Sequence, residues 1–181
     1  VQITNNAYNP FSKKNVEILK KINAMGHHLG LHYHRGNTVS VEKVIKDVQF
    51  QAEILSKMID VEIDRFSFHR PLKEHLEANI SIPGLINTYG SQFFVLTDNP
   101  DDNLSIKYIA DSNHQWKYGK ATYDYFNKFK RIQLLIHPLS WSEEGADHLN
   151  NFKMIMQEKH DEMVQTIEME WKYFDLLRGK L

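Results

Sequence analysis

The stretch GHHLGLHYHRGNTVSVEKVIKDVQFQAEILSKMIDVEIDRFSFHRP, Gly26 to Pro71, changes its apolar period twice, and that change decides the fold class. From His28 to His34 the apolar residues Leu29 and Leu31 alternate with polar ones, the pattern of a short strand. His28, His32 and His34 then share the other face. After Ser40, a good N-cap, Val44, Val48, Ala52, Leu55 and Ile59 recur at helical spacing up to about Ile59. Arg65 to Phe68 then returns to a strand that ends at His69, Arg70 and Pro71, where proline has no N–H to donate. A strand, a helix and a strand in this order imply a parallel crossover.

The rest of the chain extends the alternation. Ser12 caps a helix over about Lys13 to Met25, with Val16, Leu19, Ile22 and Met25 on one side and Gly26 as the stop. Val1 to Thr4 resembles the end of a strand. Lys73 to Asn79 reads as one helical segment. Gly84 to Thr88 and Gln92 to Leu96 fit strand or loop, and Asn99 to Asn103 is a turn cluster. Lys107 to Ala110 is a strand ending at Asp111, and Ala121 to Lys130 a helix. Ile132 to Ile136 is an apolar run expected of a strand buried on both faces, ending at His137 and Pro138. One helix is expected from about Glu143 to Leu177, roughly 50 Å long, with Leu149, Phe152, Ile155, Met163, Ile167, Trp171 and Phe174 on its buried side. The same stripe would also serve a homodimer.

Bulk composition narrows the function classes. The chain has 181 residues, 41% hydrophobic and 25% charged, the balance of an ordinary globular domain. It has no cysteine, which excludes disulfides, zinc ribbons and thiol catalysis. A net charge of −1 argues against nucleic acid or an anionic membrane as partner. No apolar run approaches the ~18 residues of a membrane span. The first residue is Val1. Ten histidines are many for this length and point to metal or acid–base chemistry. His75, His148 and His160, in polar helical stretches, are expected at the surface.

Active sites of parallel α/β folds gather beyond the C-terminal ends of strands. His32 and His34, His69 and Arg70, Asp111, and His137 all fall at such ends. His32 and His34 project to one side and are candidate ligands of a divalent metal, or a hydrogen-bonded pair lining a polar pocket. His27 is expected to anchor a loop. Arg70 can grip a carboxylate through two parallel hydrogen bonds, or stand as a plain surface arginine. Trp116 can wall a sugar site or pack in the core. His137 follows an apolar strand and must find a partner; with Asp111 nearby it would hold its proton and act as a general acid, or else serve as a structural histidine.

Taken in order, Gly26–His27 with Gly30 and His32, Arg70–Pro71, Asp111 with Trp116, and Leu135–Ile136–His137 resemble the motifs of the polysaccharide deacetylase family, in the branch found in bacterial surface-polysaccharide gene clusters. The resemblance spans about Asn9 to Trp141. It implies an α/β chain with an incomplete or distorted (β/α) barrel and a long C-terminal helix, forming a single domain over residues 1–181. It also implies a divalent metal, usually zinc, and a carbohydrate substrate carrying N- or O-acetyl groups. His32 would be the first metal histidine. The second normally lies four residues on, where this chain has Gly36, so His34 takes its place. Arg70, Asp111 and His137 would form the catalytic set, with His137 protonating the leaving group. Trp116, His69 and Trp141 would contact substrate. The family's aspartate pair precedes the first helix. It has no counterpart here before Phe11, so the expectation is a fragment lacking the first βα unit. The alternative is a non-catalytic carbohydrate-binding or assembly domain derived from the same fold.

Overall fold

The computed structural model describes residues 1–91, 106–112, 115–141, 143, 145 and 147–176. The chain divides into two compact units, Val1–Leu96 and Thr97–Leu181. The fold is mixed α/β, with small parallel sheets and a C-terminal helix. No closed barrel is formed among the described residues.

The first unit carries helix α1 (Lys13–Ala24), strand β1 (Leu29–His34), helix α2 (Val41–Ile59), strand β2 (Ile63–His69), the short helix α3 (Lys73–Glu77) and strand β3 (Ile86–Asn87). Strand order is β1-β2-β3, and all pairs are parallel. Ser12 and Ser40 cap α1 and α2 through their side-chain oxygens, satisfying N–H groups that the helix cannot. Asp60 closes α2 in the left-handed region at φ 54. Val1 lies on the outer edge of β1: its amino group donates to the Gly30 carbonyl and its own carbonyl accepts from His32 N, both at 2.6 Å.

The alternation expected of β1 is the one observed. Leu29, Leu31 and Tyr33 are buried, and Gly30, His32 and His34 are half-buried. All five residues of the α2 stripe are buried and close on β1, on Ile63, Phe66 and Phe68 of β2, and on Ile80 and Ile82. Gly30 is required by close approach: a Cβ there would stand 2.8 Å from Arg65 Cγ and 3.1 Å from the Arg65 carbonyl. Tyr33 donates to Asp47 at 3.2 Å; burial, reinforced by that carboxylate, pushes its phenol up to about 12.

His75 overturns its expectation. It is fully buried rather than at the surface, stacked on Phe68 at 6.4 Å, with Nε2 3.0 Å from the Val39 carbonyl. A five-residue helix that packs through one side chain gives no periodic signal, and its polar neighbours Lys73, Glu74 and Glu77 mask the inward position.

The second unit carries strand β4 (Lys107–Ala110), helix α4 (Tyr123–Lys128), strand β5 (Ile132–Leu135), a 3-10 turn at Pro138–Ser140, helix α5 (His148–Glu170) and a 3-10 turn at Phe174–Leu176. β4 and β5 pair in parallel, Ala110 opposite Leu135. Ile109 and Ala110 are buried, and the buried Lys107 lays its ammonium over the rings of Tyr125 and Phe129, 5.6 Å from each.

Two expectations need correction here. β5 is not buried on both faces: Leu134 is 37% exposed and Ile136 46%. Its apolar run reflects strand propensity, but β4 is its only strand partner among the described residues, so cover is partial. The long helix begins at His148, not near Glu143, because Gly145 takes φ +66 and Asp147 then caps α5 by accepting from Asn150 N. It ends at Glu170 rather than Leu177, where Trp171 turns extended. Of its expected buried stripe only Phe174, beyond the helix, is buried; Leu149, Phe152, Met163 and Trp171 are exposed. Gln92 to Leu96 and Asn99 to Asn103 lie outside the described residues.

Leu55, with no exposed surface in the first core, should cost about 2–5 kcal/mol when truncated to alanine. Met58, one turn away and 54% exposed, should change stability by no more than about 0.5 kcal/mol. Urea unfolding of the two variants compares them directly.

Candidate functional site

Parallel pairing aligns the site residues of the first unit. His32 stands opposite Ser67 and His34 opposite His69. Period-two alternation sends all four side chains away from the α2 core. His32 Nδ1 lies 2.8 Å from Ser67 Oγ. The His69 ring stands edge-on to both others, with centroids 5.3 Å from His32 and 5.0 Å from His34. The structure thus brings His32, His34 and His69 into one imidazole face at the C-terminal end of β1 and β2. Ser67 was not among the expected site residues; it lies two before His69 on one strand, and that spacing could have found it.

Arg70 follows this face and is exposed, with φ 51, a left-handed conformation costing a non-glycine residue about 1–2 kcal/mol. It makes no hydrogen bond or ion pair among the described residues. His28 is at the opposite end of β1, where Asp64 meets its Nδ1 at 3.2 Å and is held by Arg65 at 2.7 and 2.8 Å. Burial works against the charge on Asp64, but the Arg65 hydrogen bonds are the largest influence and hold its carboxyl below the ordinary range.

The second unit gathers Asp111, His137, Trp141 and Trp116. Asp111 directly follows β4, and its backbone N donates to the Leu135 carbonyl at 3.2 Å, which sets it beside the end of β5. Its carboxylate is 5% exposed. It accepts from His137 N at 3.1 and 2.9 Å, from His137 Nδ1 at 2.6 Å and from Trp141 Nε1 at 2.9 Å. Burial is the largest single influence on this carboxyl and pushes it up. The three donors together outweigh it and hold the pKa below the ordinary carboxylate range.

The charge on Asp111 fixes the tautomer of His137. A carboxylate only accepts, so Nδ1 carries the proton and Nε2 is the nitrogen that gains or loses one. The His137 side chain is half exposed, so Nε2 can exchange protons with a ligand. Trp141 has a role that its expected contact with substrate did not include: its indole N–H orients Asp111. Trp116 stands edge-on to Trp141 at 5.7 Å. With Ser140 and Asp111 the two indoles line a hollow of about 130 Å³, space for a few waters or a small acyl group at ~30 Å³ per water. A larger hollow of about 600 Å³ in the first unit runs past Asp64, Asn79, Ile82 and Asn87, and its described lining includes none of the expected site residues. Asp64, the one ionisable side chain among its described lining residues, is already committed to Arg65, so the smaller hollow is the better chemical candidate.

Among the described residues, no three His, Cys, Asp or Glu side chains are arranged to hold a metal ion. The imidazoles of His32 and His34 are the donor type that a zinc-like cation prefers, and both stand at the expected strand end. The second histidine position of the resemblance, Gly36, is a turn residue at φ +56. No described helix is long and apolar enough to cross a membrane. No family model, curated protein or solved structure matches this chain.

Replacing Asp111 by asparagine puts an N–H₂ group among three N–H donors and should destabilise the protein by about 1–3 kcal/mol at neutral pH. A carboxyl with a lowered folded pKa contributes stability that is fully present above its unfolded pKa and lost as pH falls through the folded one. The gap between wild type and Asp111→Asn should therefore be constant near neutrality and shrink as pH drops below about 4. Urea midpoints measured across that range check it.

Proposed function

We propose that this chain is a metal-dependent hydrolase that removes acetyl groups from an amino sugar or a polysaccharide, with His137 as general acid. The observation that carries the reading is the hold of Asp111 on His137 Nδ1, which leaves Nε2 as the proton-exchanging atom, while Asp111 itself lines a small hollow with two indoles. The resemblance to the polysaccharide deacetylases supports it through the order of the same residues. With it we propose the finer fold, a distorted barrel of that type completed around these strands.

The chemistry follows from roles. Water adds to the acetyl carbonyl and gives up a proton to the surrounding water, from which His137 is re-protonated after each turnover. Collapse of the tetrahedral intermediate breaks the bond to the sugar nitrogen or oxygen, releasing acetate. The leaving atom takes a proton from His137 Nε2, which becomes neutral. Asp111 stays ionised throughout: it stabilises the imidazolium before transfer and keeps the ring oriented after it. Trp116 and Trp141 offer ring surface on which a sugar can lie. His69 and Arg70 contribute polar contacts, Arg70 gripping a carboxylate. His32 and His34 would hold the divalent ion, zinc first, which when bound polarises water and carbonyl as a Lewis acid.

Acetate release from an acetylated amino-sugar polymer is the test. His137→Ala should lower the rate by about 10²–10⁴ with substrate affinity little changed. About one zinc per chain, lost in His32→Ala, should be found by elemental mass spectrometry. Metal without acetate release on any acetylated sugar would sink the deacetylase reading. Sugar binding lost in Trp116→Ala, with neither metal nor turnover, would leave a carbohydrate-binding or assembly domain.

A further inference from the structure

Helix α5 carries an exposed apolar stripe. Leu149, Phe152, Met156 and Met163 are 63%, 49%, 72% and 61% exposed, and the half-buried Ile167 continues the line. Successive spacings of three, four, seven and four residues keep them on one side of a helix, as in a coiled-coil seam. The flank around Asn151, Ile155 and Glu162 is the covered one. Such an exposed stripe marks an interaction surface.

The sequence of the stripe specifies its occupant. It is nearly symmetric about the midpoint between Lys159 and His160: reversed on itself, it sets Met156 against Met163 and Phe152 against Ile167. The charges divide about the same point. Residues 148–159 hold Lys153 and Lys159 against Glu158 alone; residues 160–170 hold Asp161, Glu162, Glu168 and Glu170 with no lysine or arginine. Lys159 already meets Glu162 of its own helix at 2.6 Å; antiparallel pairing lays the acidic half of one helix on the lysine-bearing half of another, whereas parallel pairing stacks the two acidic halves.

We propose that α5 docks against α5 of a second copy of this chain, antiparallel, with Met156 and Met163 meeting near the two-fold axis. Each copy offers the same patch to the other, as a closed two-fold dimer requires. A seam about 27 Å long, from Leu149 to Ile167, falls at the lower end of stable interface sizes, about 1,200 Å². The dimer is therefore weak and concentration-dependent, and methionines suit it because they adapt to an imperfect seam.

Sedimentation equilibrium of the full chain tests this. The mass should rise from 21.3 kDa toward twice that value as concentration increases. Met156→Glu should weaken dimerisation by about tenfold or more, with the thermal midpoint of the dilute monomer unchanged. The absence of cysteine allows the orientation to be read directly. A mixture of Phe152→Cys and Ile167→Cys chains should form a disulfide-linked pair on mild oxidation, and Phe152→Cys alone should not. A chain that stays at 21.3 kDa at the highest concentration, or a dimer indifferent to Met156→Glu, overturns the proposal. Self-crosslinking of Phe152→Cys overturns the antiparallel arrangement.

Discussion

Parallel pairing of neighbouring strands is the constraint on which the rest of this chain depends. A parallel pair needs a crossover, so each connection spends a long segment, here α2 between β1 and β2 and α4 between β4 and β5. Alternation then separates two chemistries on one strand. Leu31 and Tyr33 turn into the α2 core while His32 and His34 turn out of it. Because the strands run the same way, their ends coincide, and His34 faces His69 while Asp111 reaches His137. The polar groups are brought together by backbone register, and their own attractions only refine the geometry.

The Asp111 cluster shows that refinement. A carboxylate this well covered would be costly without partners. Three N–H donors offset the cost, and two of them come from the residue whose chemistry is at stake. A backbone N–H and a ring N–H of one histidine on one carboxylate fix both the position and the rotation of the ring. The Trp141 indole restrains the carboxylate from a third direction. This is the preorganisation that an acid–base group requires, because a ring free to rotate would present its proton only part of the time.

Much of this was legible in the sequence, and what was not has physical reasons. The α2 stripe carries a full helical period over nineteen residues, and all five of its apolar positions are buried. The strand ends bearing His32, His34, His69, Asp111 and His137 could be read because each lies where a strand pattern stops. Tertiary cover could not be read. Ile132 to Ile136 is apolar enough for a fully buried strand yet remains half covered, and the α5 stripe looks like a core face yet is exposed. A sequence encodes which side of an element is apolar but not what stands opposite. The start of α5 is hidden where a single glycine, Gly145, resets the backbone, and the burial of His75 leaves no mark because one inward residue has no period.

Asp111 fixes the proton of His137 on Nδ1 and leaves Nε2 to exchange. Long-range proton–nitrogen NMR of the imidazoles tests it without a substrate. Neutral His137 should show the Nδ1–H tautomer, the reverse of free histidine's usual preference, and lose that bias in Asp111→Ala. A neutral His137 with its proton on Nε2, or a tautomer unchanged by removing the Asp111 carboxylate, would contradict it.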